Sequence, residues 1–247
     1  IRARIEGLTP FGSGFTGQWA PMVELPGGLS GKVRHFTLLN EEPPAKKPMV
    51  PAITTPISWD RYSLKIGGER IFSWGGEMHP FRLPSPDLWR DVFQKMKASG
   101  YNTVAIYFGW GYHSPKPGVY DFTGVRDMDR VLTMAKEAGL YVIVRPGPYM
   151  NAEVTRGGFP SWLVKQQAKA RTDHPEYLAA ADEWLTAING ILKKHQITDG
   201  GGSIIAYQIE NELDVTQPTQ ARYMQHLYDK ARTDGITVPI FHNDKGR

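Results

Sequence analysis

No cysteine occurs among the 247 residues, which excludes a disulfide-stapled scaffold, a thiolate metal site and a cysteine nucleophile. No stretch approaches the ~20 consecutive apolar residues of a membrane span, so no membrane partner is expected. The chain opens Ile-Arg-Ala-Arg without a Met, a signal-peptide core or a cleavage site, and its true start is expected upstream. Runs of one charge are also lacking: 29 Lys+Arg are spread among 25 Asp+Glu for a net +4. With no basic run longer than Lys46-Lys47 or Lys193-Lys194, a nucleic-acid partner is not expected. What is present is 40% hydrophobic residues with 11% aromatics, which suits a packed core and excludes a disordered chain. A single α/β barrel of about 250 residues fits this length.

Residues 1–57 show no sustained period and carry Pro and Gly throughout, as in PGGLSG at 26–31 and EEPPAKKP at 41–48. They read as an irregular or small β region with strand-like pieces at Met22 to Leu25 and Val33 to Leu39, followed by a Pro-rich linker. The alternative is a bare linker with part of a preceding domain. From residue 58 the texture changes: Tyr62, Leu64 and Ile66 alternate with polar residues, and Gly67-Gly68 supplies a hairpin turn. Strands are expected around Phe72 to Met78, Thr103 to Phe108, Tyr141 to Val144, Ser203 to Ile209 and Val238 to Phe241. Between them lie helical patterns at Ser85 to Lys97, Val125 to Glu137, Tyr177 to Leu192 and Ala221 to Ala231. In the first of these helices Ser85 can cap, Pro86 takes the first position and Gly100 follows the end. Alternating β and α elements imply a parallel sheet with right-handed crossovers. Eight such units close a barrel, and at about 34 residues per unit three more would need about 100 residues beyond this sequence. The rival is a complete, doubly wound open sheet, but no Gly-x-Gly-x-x-Gly follows the expected strand at Phe72 to Met78 and no Walker sequence occurs.

Polar residues collect where the expected strands end, which is the ligand-bearing rim of such folds. Glu77 and His79 follow the first strand; Tyr107, Trp110, Tyr112 and His113 the second; Arg145, Tyr149, Asn151 and Glu153 the third. Glu210, Asn211 and Glu212 follow the fourth, and His242, Asn243 and Asp244 the fifth. Carboxylates and amides fork to vicinal hydroxyls and aromatic faces cover sugar C–H groups, so this rim suits a polyhydroxylated substrate. Glu210 and Glu212, two apart on an extended strand, would share one face. Glycoside hydrolysis needs a carboxylic acid for the leaving oxygen and a second carboxylate across the sugar, ~5 to 5.5 Å away in retaining enzymes. A salt-bridged strand end without a catalytic role is the plain alternative, and sequence geometry alone does not separate Glu210 from Glu212.

Five pieces together carry a specific resemblance: GEMHPFRLPSPDLW at 76–89, GYNTVAIYFGWGYHSPKPGVYDF at 100–122, GLYVIVRPGPYMNAEVTRGGFPSWL at 139–163, IIAYQIENEL at 204–213 and VPIFHND at 238–244. In their order and spacing they resemble the catalytic barrel of glycoside hydrolase family 35, the retaining β-galactosidases, over residues 58–247. The resemblance implies a (β/α)8 barrel of which this chain holds about five units, and a chain that acts on terminal β-galactosyl residues with no cofactor or metal. It further implies that Glu212 is the general acid/base and Asn211 contacts the sugar. Tyr107, Asn151, Ala152 and Glu153 would line the galactose pocket, with a nucleophilic Glu beyond residue 247. The truncated chain alone would then be inactive, and its partners a β-galactoside and the remainder of its own chain. Export, to meet polymeric galactosides, is expected. Two departures stand out: Leu213-Asp214 follow the acid where the family has Tyr-Gly, and Trp74-Gly75 lengthen the first strand.

The remaining rim residues have structural readings beside functional ones. His79 and His113 could join Glu77 or Glu153 at a metal, but no His-Glu-x-x-His or close His pair supports it, and hydrogen bonding or packing is favoured. Glu77 is read as a partner for Arg82 or Arg145 and Glu210 as a structural carboxylate. Trp110 and Tyr112 are either sugar platforms or core; Trp89, Trp162 and Trp184 read as packing of the barrel helices. The alternatives in function are a related barrel glycosidase for another β-linked sugar such as glucosamine, and a non-catalytic carbohydrate-binding fragment.

Overall fold

The computed structural model describes residues 57–165, 169–199 and 201–243, together with the backbone of three strands between residues 2 and 39. The chain divides into two units, Ile1–Lys47 and Pro48–Arg247. In the first, β1 (Arg2–Pro10), β2 (Met22–Leu25) and β3 (Leu29–Leu39) form an antiparallel sheet in the order β1-β3-β2, with Arg2 opposite Leu39 and Met22 opposite Lys32. The sequence pattern announces β2 and part of β3 but not β1, where the alternation of Ala3 and Ile5 lapses at Gly7.

The second unit opens with a small antiparallel sheet of β4 (Ser58–Trp59), β5 (Leu64–Ile66) and β6 (Glu69–Ile71). Gly67 and Gly68 turn the β5–β6 hairpin with φ of 61° and 87°, the pair of positive values a type I′ turn requires. Asp60 holds the loop before it by accepting from the Tyr62 N–H at 2.9 Å and from Arg70, whose guanidinium keeps the carboxyl well below its ordinary range.

The main sheet is built from β7 (Gly75–Met78), β8 (Thr103–Tyr107), β9 (Tyr141–Gly147), β10 (Ile204–Ile209) and β11 (Ile240–Phe241). Helices lie between them: α1 (Pro86–Ala98), the short α2 (Trp110–His113), α3 (Met128–Glu137), α4 (Pro175–Leu192) and α5 (Pro218–Thr233). The strands are parallel and their spatial order β7-β8-β9-β10-β11 is their chain order. A doubly wound sheet reverses its order at a switch point; this one does not, and it is part of a (β/α)8 barrel.

Element limits differ from the sequence pattern for identifiable reasons. Ser85 takes the cap position of α1, but its side chain makes no capping bond, and Pro86 at the first turn sets the entry. The helix expected from Val125 begins instead at Met128, because Gly124–Arg126 is a separate 3-10 turn and the Asp127 side chain caps by accepting from the Arg130 N–H at 2.9 Å. The first barrel strand starts at Gly75, not Phe72, which is 76% exposed. Gly75 is needed there, since a Cβ would stand 2.6 Å from the Thr103 carbonyl of β8.

Strand pleating decides which side chains meet the helices. Val104, Ile106, Val142, Val144, Ile205 and Tyr207 pack beneath α1, α3, α4 and α5 with Phe93, Leu132, Leu185 and Leu227, all buried. Ala105, Ile143, Arg145 and Ala206 alternate with them and are only partly buried. Trp89 and Trp184 are helix packing residues, as read from sequence, and each donates its indole N–H, to the carbonyls of Pro80 at 3.1 Å and Pro146 at 2.9 Å. Trp162 also packs, against Trp110, but from a turn rather than a helix. Trp110 itself is 0% exposed and stacks on Trp184, so it is core and not a sugar platform.

His113 closes this aromatic layer, stacked 5.8 Å from Trp184, with Nδ1 2.9 Å from the Asp121 carbonyl. Burial pushes its imidazole down to about 4 from 6.5. Between those values the unfolded chain binds the proton and the folded chain does not, so folding stability should fall as pH drops from about 6.5 towards about 4. The span corresponds to about 3 kcal/mol. Urea unfolding across that window should show the slope, and His113→Phe should flatten it; an unchanged slope in the variant would assign the acid sensitivity elsewhere.

Candidate active site

The strands deliver their last residues to one rim, and two arginines organise it. Arg145, at the end of β9, reaches both ways along the sheet. Its guanidinium donates to Glu77 Oε1 at 2.8 Å and to the Tyr107 hydroxyl, lies 4.1 Å over the Tyr107 ring, and donates to Asn211 Oδ1. Tyr107 in turn donates to Glu77 Oε1 at 2.7 Å. Burial, then this bond to a carboxylate, raises the Tyr107 phenol well above its ordinary value, so it stays a donor. Glu77 is thus the partner of Arg145; Arg82 instead donates to the Ala152 carbonyl. His79 stacks on Tyr107 at 4.6 Å, and burial lowers its pKa.

The second arginine, Arg171, lies in the loop before α4. It forks onto Glu210, with Nε 3.1 Å from Oε1 and a terminal nitrogen 2.6 Å from Oε2, and donates to the Asn211 carbonyl at 2.6 Å. The Glu210 carboxylate also accepts from the Tyr223 hydroxyl at 3.0 Å and the Asn211 N–H at 2.8 Å. Its side chain is 1% exposed. Burial raises its pKa, opposed by the arginine and the other donors, while the carboxylate holds Arg171 charged.

Glu210 and Glu212 do not share the face of an extended strand as their spacing suggests. Strand β10 stops at Ile209, and both glutamates take left-handed backbone, φ 59° and 50°. One carboxylate therefore turns into the protein and the other stays exposed. The Glu212 N–H donates to Asn243 Oδ1 at 3.3 Å, and Gln208 reaches the same oxygen at 2.7 Å and the Glu210 carbonyl at 3.0 Å. Among the described residues the Glu212 side chain enters no ion pair.

Asn151, Ala152 and Glu153 follow β9 in three successive left-handed conformations, φ 56°, 50° and 49°. Ala152 is buried with Tyr107 and Met150, and Asn151 Oδ1 accepts from the Tyr149 hydroxyl at 3.3 Å. Glu153 is exposed, and its charge is felt at Tyr107 and His79. Gly157 lies under Tyr149, where a Cβ would stand 1.9 Å from the ring. Tyr112 bonds the Val125 carbonyl at 3.0 Å and carries Arg126 over its ring. His242 is exposed at the end of β11, beside a groove of about 530 Å³ lined in part by Asp214, Val215 and Tyr228. Asp244 lies outside the described residues. Among the described residues no three His, Asp or Glu side chains stand together as metal ligands, and no helix is long and apolar enough to cross a membrane.

The profile of Glycosyl hydrolases family 35 matches residues 63–247. The chain belongs to that family. "Probable beta-galactosidase A" of Aspergillus fumigatus is 45% identical over 214 residues, 85% of this chain and 21% of the relative. "Probable beta-galactosidase C" of Aspergillus clavatus is 45% identical over 199 residues, 78% of this chain and 20% of the relative. This chain of the family thus spans about a fifth of the length of the curated relatives it matches. Among solved structures, GH5_18 from Streptomyces cattleya superposes with a TM-score of 0.56 at 14% identity, covering 69% of this chain and 44% of that one. The endo-1,4-beta-D-mannanase of Thermotoga petrophila gives 0.55 at 14% identity, covering 70% and 55%. At such identity these two speak for the fold alone.

Arg171 is the site residue that sequence reasoning does not single out. Its partner Glu210 is 39 residues away, and its loop has no period to place it. Arg145, read from sequence as a rim residue and as one of two partners for Glu77, is also the link between Tyr107 and Asn211. Arg145→Met should leave Glu77, Tyr107 and Asn211 short of a donor and cost about 1–3 kcal/mol in urea unfolding. A loss below about 0.5 kcal/mol would mean that water replaces the guanidinium.

Proposed function

We propose that the protein to which this chain belongs is a retaining β-galactosidase that removes terminal non-reducing β-galactosyl residues. The observation that carries this reading is the divergence of the two carboxylates on the Glu210-Asn211-Glu212 turn. Glu210 is committed to Arg171, whereas Glu212 stands exposed on the rim beside Asn211. A carboxylate that is exposed and pairs with no cation among the described residues suits a general acid/base, which must gain and lose a proton during turnover.

In the first step Glu212 gives its proton to the glycosidic oxygen as the C–O bond breaks, and a nucleophilic Glu, carried by a barrel strand beyond residue 247, bonds to the anomeric carbon. In the second, the Glu212 carboxylate takes a proton from water as the water oxygen replaces that ester. Asn211 is suited to hold a sugar hydroxyl: Arg145 occupies its Oδ1, which leaves the amide NH2 to donate. Tyr107, Asn151, Ala152 and Glu153 form the galactose-binding wall in this reading. The chemistry uses carboxylates alone, without metal or cofactor, and the enzyme acts outside the cell on oligomeric or polymeric galactosides.

Nitrophenyl β-galactoside and β-glucosaminide, offered to the full-length protein, separate the sugars; release from the second and none from the first would move the assignment to another β-glycoside. Glu212→Gln should lower kcat about 100-fold or more on glycosides with poor leaving groups and much less on activated aryl glycosides. Uniform retention of rate across that series would falsify the acid/base role.

A further inference from the structure

A buried ion pair contributes little net stability, since desolvation offsets much of the attraction and an apolar replacement is often neutral or better. Arg171 and Glu210 nevertheless sit at a strand end with an unusual concentration of backbone strain. Glu210, Glu212 and Arg171 itself all have left-handed φ, 59°, 50° and 60°. Each such non-glycine residue costs on the order of 1–2 kcal/mol and persists only where its surroundings over-determine it.

What over-determines it is the pair. The Asn211 N–H is held by the Glu210 carboxylate, and its carbonyl by Arg171, so both peptide groups flanking its Cα are fixed by the two ends of one ion pair. The pair is anchored to two helices. Tyr223 of α5 donates to Glu210, and the Tyr177 hydroxyl of α4 lies 3.0 Å from that of Tyr223. Tyr149 stacks on the guanidinium at 3.9 Å and bonds Asn151, which ties the same arginine to the neighbouring rim loop.

We propose that Arg171, Glu210 and Tyr223 are positioning residues of the reaction, setting the turn that aims Asn211 and Glu212. This rests on the reading of Glu212 as the acid/base. The pair acts by fixing the backbone from which the proton donor projects. A slackened pair should misplace the donor without abolishing sugar binding. The loss should then appear in kcat more than KM, and most on substrates that depend on protonation of the leaving group.

The test uses the full-length protein, with rates normalised to folded, titrated active sites. Glu210→Gln should lower kcat on phenyl β-galactoside about 10- to 100-fold, kcat on dinitrophenyl β-galactoside about threefold or less, and change KM less than about threefold. Arg171→Lys, which keeps the charge but cannot fork, should follow the same trend more weakly. Equal losses on both substrates, or a loss fully explained by fewer folded molecules, would overturn the proposal. Should Glu210→Gln not fold, Tyr223→Phe keeps the ion pair and removes one donor. It should cost about 3- to 10-fold on the phenyl glycoside alone, and an unchanged rate there overturns the proposal. If the unaltered protein cleaves another β-glycoside and no galactoside, the sugar assignment fails, and the same leaving-group comparison on that glycoside still decides the role of the pair.

Discussion

Strict sequential order in the parallel sheet is the constraint on which the site depends. Because every strand from β7 to β11 runs the same way and neighbours its chain predecessor, the C-terminal ends of all five collect on one side. Each end then needs only its last one or two residues to contribute to a shared surface. Arg145 exploits this: from the middle strand it reaches residues of β7 and β8 on one flank and the turn after β10 on the other. A single side chain thereby registers four strands against one another at the rim where such barrels carry their ligands.

The rim separates two uses of negative charge by environment. The buried Glu210 is matched by a bidentate cation and neutral donors, as a desolvated carboxylate must be. Glu212, two residues later, remains in water. The reversal to left-handed backbone after Ile209 sends these side chains to opposite surroundings, and a continued strand could not, because a period of two would have kept them together.

Much of this architecture is legible in the amino-acid order. The alternation of β-branched runs with amphipathic helices gives the five parallel strands, and Trp89 and Trp184 are readable as packing from their helical spacing. Local chemistry moved the boundaries: Asp127 captures the start of α3, and Gly75 is admitted where Phe72 is not. The rim positions follow from the strand ends, whereas pairings across long separations do not. Arg171 with Glu210, and Arg145 with Asn211, join residues with no shared period, so only the folded chain reveals them. The turn conformation at Glu210 was likewise hidden, since Gln-Ile-Glu-Asn-Glu carries no glycine or proline to mark a break.

The three left-handed residues Asn151, Ala152 and Glu153 bear on how sequence variation in this loop is to be understood. β-Branched residues are poorly tolerated at such φ values, so Val or Ile at 152 would be selected against for the shape of the main chain, before any sugar is considered. Gly and Asn, which enter that region readily, would be admitted despite their different side chains. The same torsional demand falls on Asn151 and Glu153, so a replacement at any of the three meets the main chain first.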